Sequence, residues 1–380
     1  MAQIDIENPF VVGKYVSDEY FCDREAETDF LKKQIVNGRN VALISERRMG
    51  KSGLIQHTFA QRDIQDDFNT FFIDIYATGS FPEFVYLLGK AVFEKLKPQK
   101  TRWFEDFFRI VESLRIGFKM DPVTGEPGLD IGIGDIKKPE TTLDEIFLYL
   151  ENSGKKNIVA IDEFQQIGEY PQKNVEALLR TKIQMCTTTQ FIFAGSKKHM
   201  MSNMFHSPAK PFYQSVITMG LMPIPVEIYT LFAQELFEKK GKKLDAEVAE
   251  KVHSAFFGTT WFVQMMMNEL FSLTPTGARC TADMIETAML NIIQVQEYSY
   301  REILANRLSA KQKQMIQALA RDRKASAITS AEFINRHRLG SASSVQAAIK
   351  PLLNENLVTK DEDGYRISDY FFSEWLRRNF

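Results

Sequence analysis

Cysteine is scarce in this 380-residue chain: Cys22, Cys186 and Cys280 are far apart and odd in number. None forms a CxxC pair, so neither a disulfide framework nor a zinc site is expected, and a reducing cytoplasm suits such thiols. Histidine is also scarce, five in all, with no HExxH. His199 and His206, read as lying in one polar loop, have no partner at metal-ligand spacing. The chain lacks any apolar run of about 18 residues, the length that spans a bilayer. Its longest such stretch, Trp261 to Leu270, is broken by Gln264, Asn268 and Glu269. The opening residues, Met1 to Glu7, have no basic segment before an apolar one, so neither a signal peptide nor a membrane partner is expected. An excess of one charge is missing too: 47 basic and 49 acidic residues leave a net charge of -2. That excludes a basic nucleic-acid coat for the whole chain and leaves a local basic face open.

What is present is globular material, 44% hydrophobic and 25% charged, long enough for two or three domains with cores of their own. Short apolar runs alternate with helical segments. NVALI (40–44), FFIDIY (71–76), IVAI (158–161) and FIFA (191–194) predict buried strands. Residues 24–37 with Asp23 as cap, 81–96, 142–150 and 175–185 predict helices. This rhythm predicts an α/β domain over 1–220 with a parallel sheet covered on both faces. Residues 114–135, with Pro122 to Gly125 as a turn, break the rhythm and predict an inserted hairpin, either a surface decoration or an element that gates a site or meets a partner.

From Pro223 and Pro225 onward the character changes. Residues 221–305 predict a small helical domain, in which Met265, Met266 and Met267 are read as packing residues. Residues 306–380 predict a winged helix: helices over 311–320, 330–336 (capped by Thr329 or Ser330) and 343–355, a hairpin about Asp361 to Gly364, and a closing helix over 370–380. Arg336, His337, Arg338, Lys350 and Lys360 offer a face to DNA. The helix that would enter a groove carries only Gln346 and Lys350 for such contacts, so a protein-facing or intramolecular role is the other reading.

The chemistry concentrates in SERRMGKS (45–52). The tripeptide Gly50-Lys51-Ser52 is weak alone, but here a buried strand precedes it and a helix follows, the context of a phosphate-binding loop. Backbone N–H groups along Ser45, Glu46, Arg47, Arg48, Met49, Gly50, Lys51, Ser52 and Gly53 are then expected to cradle the phosphates of ATP. Lys51 would reach the β- and γ-phosphates, and Ser52 would ligate Mg²⁺. Ser45 stands where the usual pattern has glycine. Arg47 and Arg48 add positive charge, directed either at phosphate or at solvent and acidic neighbours. The strand IVAI delivers Asp162-Glu163 at its carboxyl end: Asp162 to hold Mg²⁺, Glu163 to orient and deprotonate a water. Ser196, after FIFAG, is either a contact to the γ-phosphate or water, or a turn serine.

With these motifs the chain resembles the archaeal-type ATPase family, AAA+-related and STAND-like P-loop NTPases of archaea and bacteria. The likeness runs through YFCDREAETDFL (20–31), NVALISERRMGKSGLI (40–55), IVAIDEFQQI (158–167) and FIFAGSKKHMMSNMFHSPAKPFY (191–213). It implies an AAA+-type sheet followed by a helical lid and a winged helix, with ATP hydrolysis used as a switch or motor. It also implies that Arg24 and Glu25 lie beside the nucleotide, that Lys51 and Ser52 form the P-loop pair, that Asp162 and Glu163 form the Walker B pair, and that Ser196 is sensor 1. Two departures point to slow hydrolysis. Gln214-Ser215 follows Pro211-Phe212-Tyr213 where the family often has Gly-Arg, and GTTWFV (258–263) replaces a Gly-x-Pro pattern. Such domains commonly borrow an arginine from a neighbouring subunit. Arg180, Lys197, Lys198 and Lys210 are the basic candidates and none stands out. The expectation is an ATP/ADP switch, monomeric or weakly oligomeric with nucleotide, that works on an unknown protein partner. A DNA-associated ATPase and a non-hydrolysing scaffold are the alternatives.

Overall fold

The computed structural model describes residues 6–96, the backbone of 117–120 and 127–130, and residues 139–361 and 363–380. The chain divides into two compact units, Gly13–Ile224, and Met1–Val12 together with Pro225–Phe380.

The first unit runs α1 (Glu25–Val36), β1 (Val41–Ile44), α2 (Lys51–Ala60), α3 (Arg62–Asp67), β2 (Phe68–Asp74), α4 (Phe81–Lys95), β3 (Gly117–Met120), β4 (Pro127–Asp130), α5 (Pro139–Glu151), β5 (Lys156–Asp162), α6 (Val175–Met185), β6 (Thr189–Gly195), α7 (Lys198–His206) and β7 (Ile217–Met219). Five strands form a parallel sheet in the order β2-β5-β6-β1-β7. Side chains alternate between its faces, as the pleat dictates. Val159, Ile161, Phe191 and Phe193 pack on one side with Phe84, Leu88, Ile146 and Phe147 of α4 and α5. Ile158, Ala160, Ile192 and Ala194 pack on the other with Leu31, Ile35, Leu54 and Ile55 of α1 and α2. Burial on both faces explains why these strands read as unbroken apolar runs. The chain leaves β1 for β2 at one edge and returns to β7 on the other side of β1. Such a reversal opens a crevice at the carboxyl ends of the strands, where open α/β sheets take their ligands.

β3 and β4 pair antiparallel, Gly117 with Asp130 through Met120 with Pro127. The remainder of 114–135, its turn included, lies outside the described residues.

In the second unit α8 (Val226–Lys239), α9 (Ala246–Ala255), α10 (Thr260–Leu273) and α11 (Met284–Glu302) are joined by a two-residue parallel pair, β8 (Lys243–Leu244) with β9 (Arg279–Cys280). Met266 and Met267 are fully buried, while Met265 is part-exposed. Residues 6–12, expected with the sheet, belong here instead. Phe10 is fully buried against Phe237 and Phe271, ring centroids 5.5 and 5.9 Å away. Asn8 Nδ2 donates to the Asn268 carbonyl at 2.9 Å, and Asn268 Nδ2 donates to the Phe10 carbonyl at 2.8 Å.

The chain ends in a winged helix: α12 (Ala310–Asp322), α13 (Ala331–His337), α14 (Ala342–Asn354), the hairpin β10 (Val358–Asp361) and β11 (Gly364–Ile367), and α15 (Tyr370–Asn379). Each of the three core helices starts on a serine whose hydroxyl accepts a backbone N–H of the first turn: Ser309 from Gln312, Ser330 from Phe333, Ser341 from Ser344. Ala325 and Tyr365 exchange both backbone hydrogen bonds at 2.9 Å, adding a bridge to the hairpin.

Two local readings are corrected, and one strand had not been read. His199 and His206 lie on α7, whose Met201, Met204 and Phe205 are buried, and not in a loop. Asp23 does not cap α1. Arg24 is the N-cap residue, both are left-handed, and the N-cap side chain makes no capping hydrogen bond. β7 had no strand signal because it is three partly exposed residues at the sheet edge.

Candidate nucleotide site

The SERRMGKS loop springs from the carboxyl end of β1. Ser45 is buried, and its N–H donates to the Gly195 carbonyl at 3.4 Å, carrying the β1–β6 pairing one residue further. Arg48 and Gly50 are both left-handed (φ 68° and 94°), which turns the chain sharply into α2. Gly50 occupies the N-cap position without a side chain to bond, and the first turn of α2 holds no acidic residue. The helix N-terminus is therefore uncapped and electropositive, the arrangement that receives an anion. Lys51 is buried, and its Nζ folds back to donate to the carbonyls of Ser45 (3.0 Å) and Glu46 (2.9 Å). Burial pushes its pKa down, while the Glu163 and then the Asp162 carboxylates oppose that shift.

Across the crevice, β5 ends in Asp162. The Ser52 hydroxyl donates to Asp162 Oδ2 at 2.5 Å, and the Glu163 N–H donates to Asp162 Oδ1 at 2.9 Å. Burial pushes the Asp162 carboxyl up, the Ser52 hydrogen bond opposes this, and the neighbouring Glu163 charge adds to it. Glu163 is left-handed (φ 57°), which swings its side chain off the strand line toward β6. There Ser196 Oγ donates to Glu163 Oε2 at 2.7 Å. Lys51, Ser52, Asp162, Glu163 and Ser196 are thus brought together at the ends of three parallel strands.

Other expected residues stand apart. Arg24 is buried and donates to Glu27 Oε1 and to the Met222 carbonyl, both at 2.7 Å, and touches neither the loop nor the carboxylates. Glu25 opens α1. Arg47 leans over the Tyr76 ring, 5.1 Å from its centre. Glu46 pairs with Lys198 at 3.2 Å, Lys197 with Glu169 at 2.6 Å, and Lys210 with Glu176 at 2.9 Å. Arg180 donates to Gln184 one turn on. Each basic candidate for a neighbour's site is engaged within its own chain.

Sequence reasoning missed two residues. Gln165 is 2% exposed and its Nε2 also donates to Glu163 Oε2. A Cβ at Gly195 would stand 2.5 Å from both Gln165 Oε1 and Met201 Sδ, so a side chain there would push those two side-chain ends aside. A polar residue two places after the strand-ending carboxylates was the available signal for the first. For the second there was none.

With this geometry in hand, comparison with known proteins is informative about the fold. A "Probable winged helix domain" family model matches residues 298–378. No curated protein sequence matches the chain. Among solved structures, a Walker-type ATPase of Pyrococcus abyssi superposes with a TM-score of 0.63 at 18% identity, over 97% of this chain and 99% of that one. The Aeropyrum pernix ORC2 protein, solved in ADPNP–ADP complexes, gives 0.60 at 13% identity over 98% and 96%. The Aeropyrum pernix ORC1 protein, solved in complex with DNA, gives 0.52 at 13% identity over 94% and 93%. The fold is that of AAA+-type P-loop ATPases with a C-terminal winged helix, as the sequence resemblance implied. Among the described residues no helix is long and apolar enough to cross a membrane.

Proposed function

We propose that this chain binds ATP at residues 45–53 and hydrolyses it slowly, as a nucleotide-driven switch. The observation that carries the reading is the meeting of Ser52 with Asp162, with Lys51, Glu163 and Ser196 around them. The uncapped N-terminus of α2 offers backbone donors and positive potential to the phosphates. Lys51 exchanges two carbonyl partners for phosphate oxygens, keeping its hydrogen bonds while gaining opposite charge. The Ser52 hydroxyl and Asp162 carboxylate are hard oxygen donors facing one point, which suits Mg²⁺. They would hold the ion, and it would neutralise charge on the phosphates. Among the described residues no three His, Cys, Asp or Glu side chains cluster to hold a metal. That fits an ion completed by phosphate oxygens and water rather than by a protein cage. Glu163 Oε1 accepts no hydrogen bond among the described residues and is available to a water. Glu163 takes a proton from that water as its oxygen bonds to the γ-phosphorus, while the bond to the β–γ bridging oxygen breaks and ADP departs.

Slow turnover follows from a missing charge. Gln214-Ser215 stands where the resembled family often has Gly-Arg, and Arg180, Lys197, Lys198 and Lys210 are all engaged. An arginine finger is worth about 10³ to 10⁵ in related enzymes. A protein partner or second subunit that supplies this charge would set the rate, and the isolated chain is a monomer or a weak, nucleotide-dependent oligomer. Calorimetry with Mg-ATP, followed by turnover, on wild type and Lys51→Ala tests the reading. Equal affinity in both sinks it, and no affinity in wild type favours a non-hydrolysing scaffold.

A second reading places the winged helix on DNA. Arg338, Gln346, Lys350 and Lys360 are all exposed, and the structurally similar ORC1 protein was solved on DNA. Binding in a mobility-shift assay that weakens steeply with salt would support it, since phosphate contacts release counterions. Binding absent at low salt excludes it.

A further inference from the structure

Glu163 Oε2 is held from two directions. Ser196 reaches it from the end of β6, and Gln165 reaches it from the short 3₁₀ helix, Phe164–Glu169, that follows β5. Among the described residues Glu163 Oε1 has no such partner. Gln165 is also an expensive residue for this place. Its Oε1 is buried with no hydrogen bond among the described residues, a cost that methionine or leucine of similar size would not incur. Gly195 leaves open the space into which that amide projects. Packing alone therefore gives no reason for a glutamine here, whereas its Nε2 has a definite task on Glu163.

We propose that Gln165 is the positioning residue that keeps Glu163 aimed during hydrolysis, while Ser196 is the donor that lets go. The inference rests on the ATPase reading above. A serine hydroxyl has one proton to donate. Ser196 cannot serve Glu163 and a γ-phosphate oxygen together, so ATP arrival takes it from the carboxylate. Glu163 is then an anion beside phosphate charge with one remaining anchor. Gln165, buried and away from the phosphates, holds Oε2 throughout and leaves Oε1 for the water. Its loss affects the chemical step and leaves nucleotide affinity alone.

The test uses the full chain and compares wild type, Gln165→Met, Glu163→Gln and the double variant by Mg-ATP calorimetry and single-turnover hydrolysis. Gln165→Met is expected to slow hydrolysis by roughly 10- to 100-fold, the scale of a misplaced catalytic group, with ATP affinity within about twofold of wild type. The double variant is expected to be no slower than Glu163→Gln, because nothing remains to be positioned. Gln165→Asn, which keeps an amide but withdraws it by one methylene, should behave as Gln165→Met does and decides the matter if Gln165→Met loses its cooperative melting transition. Wild-type turnover in these variants, or an equal slowing on both Glu163 backgrounds, overturns the proposal while the ATPase reading stands. A wild-type chain that neither binds nor hydrolyses Mg-ATP overturns both.

Discussion

Ser52 and Asp162 lie 110 residues apart in the chain, yet the hydroxyl of one donates to the carboxylate of the other at 2.5 Å. The contact joins the first turn of α2 to the end of β5 across β6, the strand between β1 and β5. It also pairs with each other the two groups proposed to hold Mg²⁺. Lys51 on its carbonyls and Ser196 on Glu163 follow the same pattern. Under the proposed function, Mg-ATP would exchange these partners.

Lys51→Ala removes the one ammonium buried in this site. Hydrogen bonds to charged groups contribute about 1.5–3 kcal/mol, so ATP affinity is expected to fall by roughly 10- to 150-fold in calorimetry. Affinity within twofold of wild type would mean that the loop does not hold the phosphates.

Asp162→Asn separates binding from stability. Burial raises the Asp162 pKa, so the folded chain holds that proton more tightly than the unfolded chain does. Ionising the group therefore costs stability above the folded pKa and costs nothing below the unfolded value of about 3.9. The variant should melt a few degrees higher than wild type at neutral pH without nucleotide, with the gain gone by about pH 3.5. It should also lose the magnesium dependence of ATP binding. A lower melting temperature at pH 7 would contradict the assignment of Asp162 as a destabilising buried charge.

Glu163→Gln keeps shape and removes the base. ATP affinity should hold, and single-turnover hydrolysis at saturating Mg-ATP should drop at least about tenfold, since positioned proton transfer contributes about 10² to 10⁴. Hydrolysis at the wild-type rate would show that another group activates the water.

Glu151 gives a prediction about the scaffold. Its carboxylate accepts from the N–H groups of Thr187 (2.7 Å) and Thr188 (3.0 Å) and from the hydroxyls of Thr187, Thr188 and Thr189 (2.8, 2.9 and 2.8 Å). Burial alone would raise its pKa, but these bonds outweigh that and lower it. A depressed folded pKa gives stability that is present above the unfolded value of about 4.3 and lost as pH falls through the folded value. Glu151→Gln should lower the melting temperature at pH 7, with the gap from wild type narrowing toward pH 3. An equal gap at both pH values would show that shape, not charge, is what the turn needs.

The sequence made the sheet legible because strands covered on both faces must be apolar throughout, as NVALI, IVAI and FIFA are. The loop was legible because glycine, lysine and serine fall where such a strand turns into a helix. Other features depended on information that local pattern does not hold. The left-handed turn at Glu163 is set by what lies around it, and the same holds for the pairing of Arg24 with Glu27 and the Met222 carbonyl. α7 was hidden by its Lys, His, Ser and Asn residues, although Met201, Met204 and Phe205 already marked one helical face. Gln165 was hidden because its importance lies in a donor aimed at a neighbour.

The docking of Phe10 and Asn8 onto α10 sets an order of events on the ribosome. Asn8 is made well before its partner Asn268, which is translated 260 residues later. At about 5–20 residues per second, that is roughly 10–50 s during which Phe10 has no pocket. The sheet unit emerges whole in that interval and can close on itself. The unit that joins residues 6–12 to residues 225–380 must therefore finish after the sheet unit has been made.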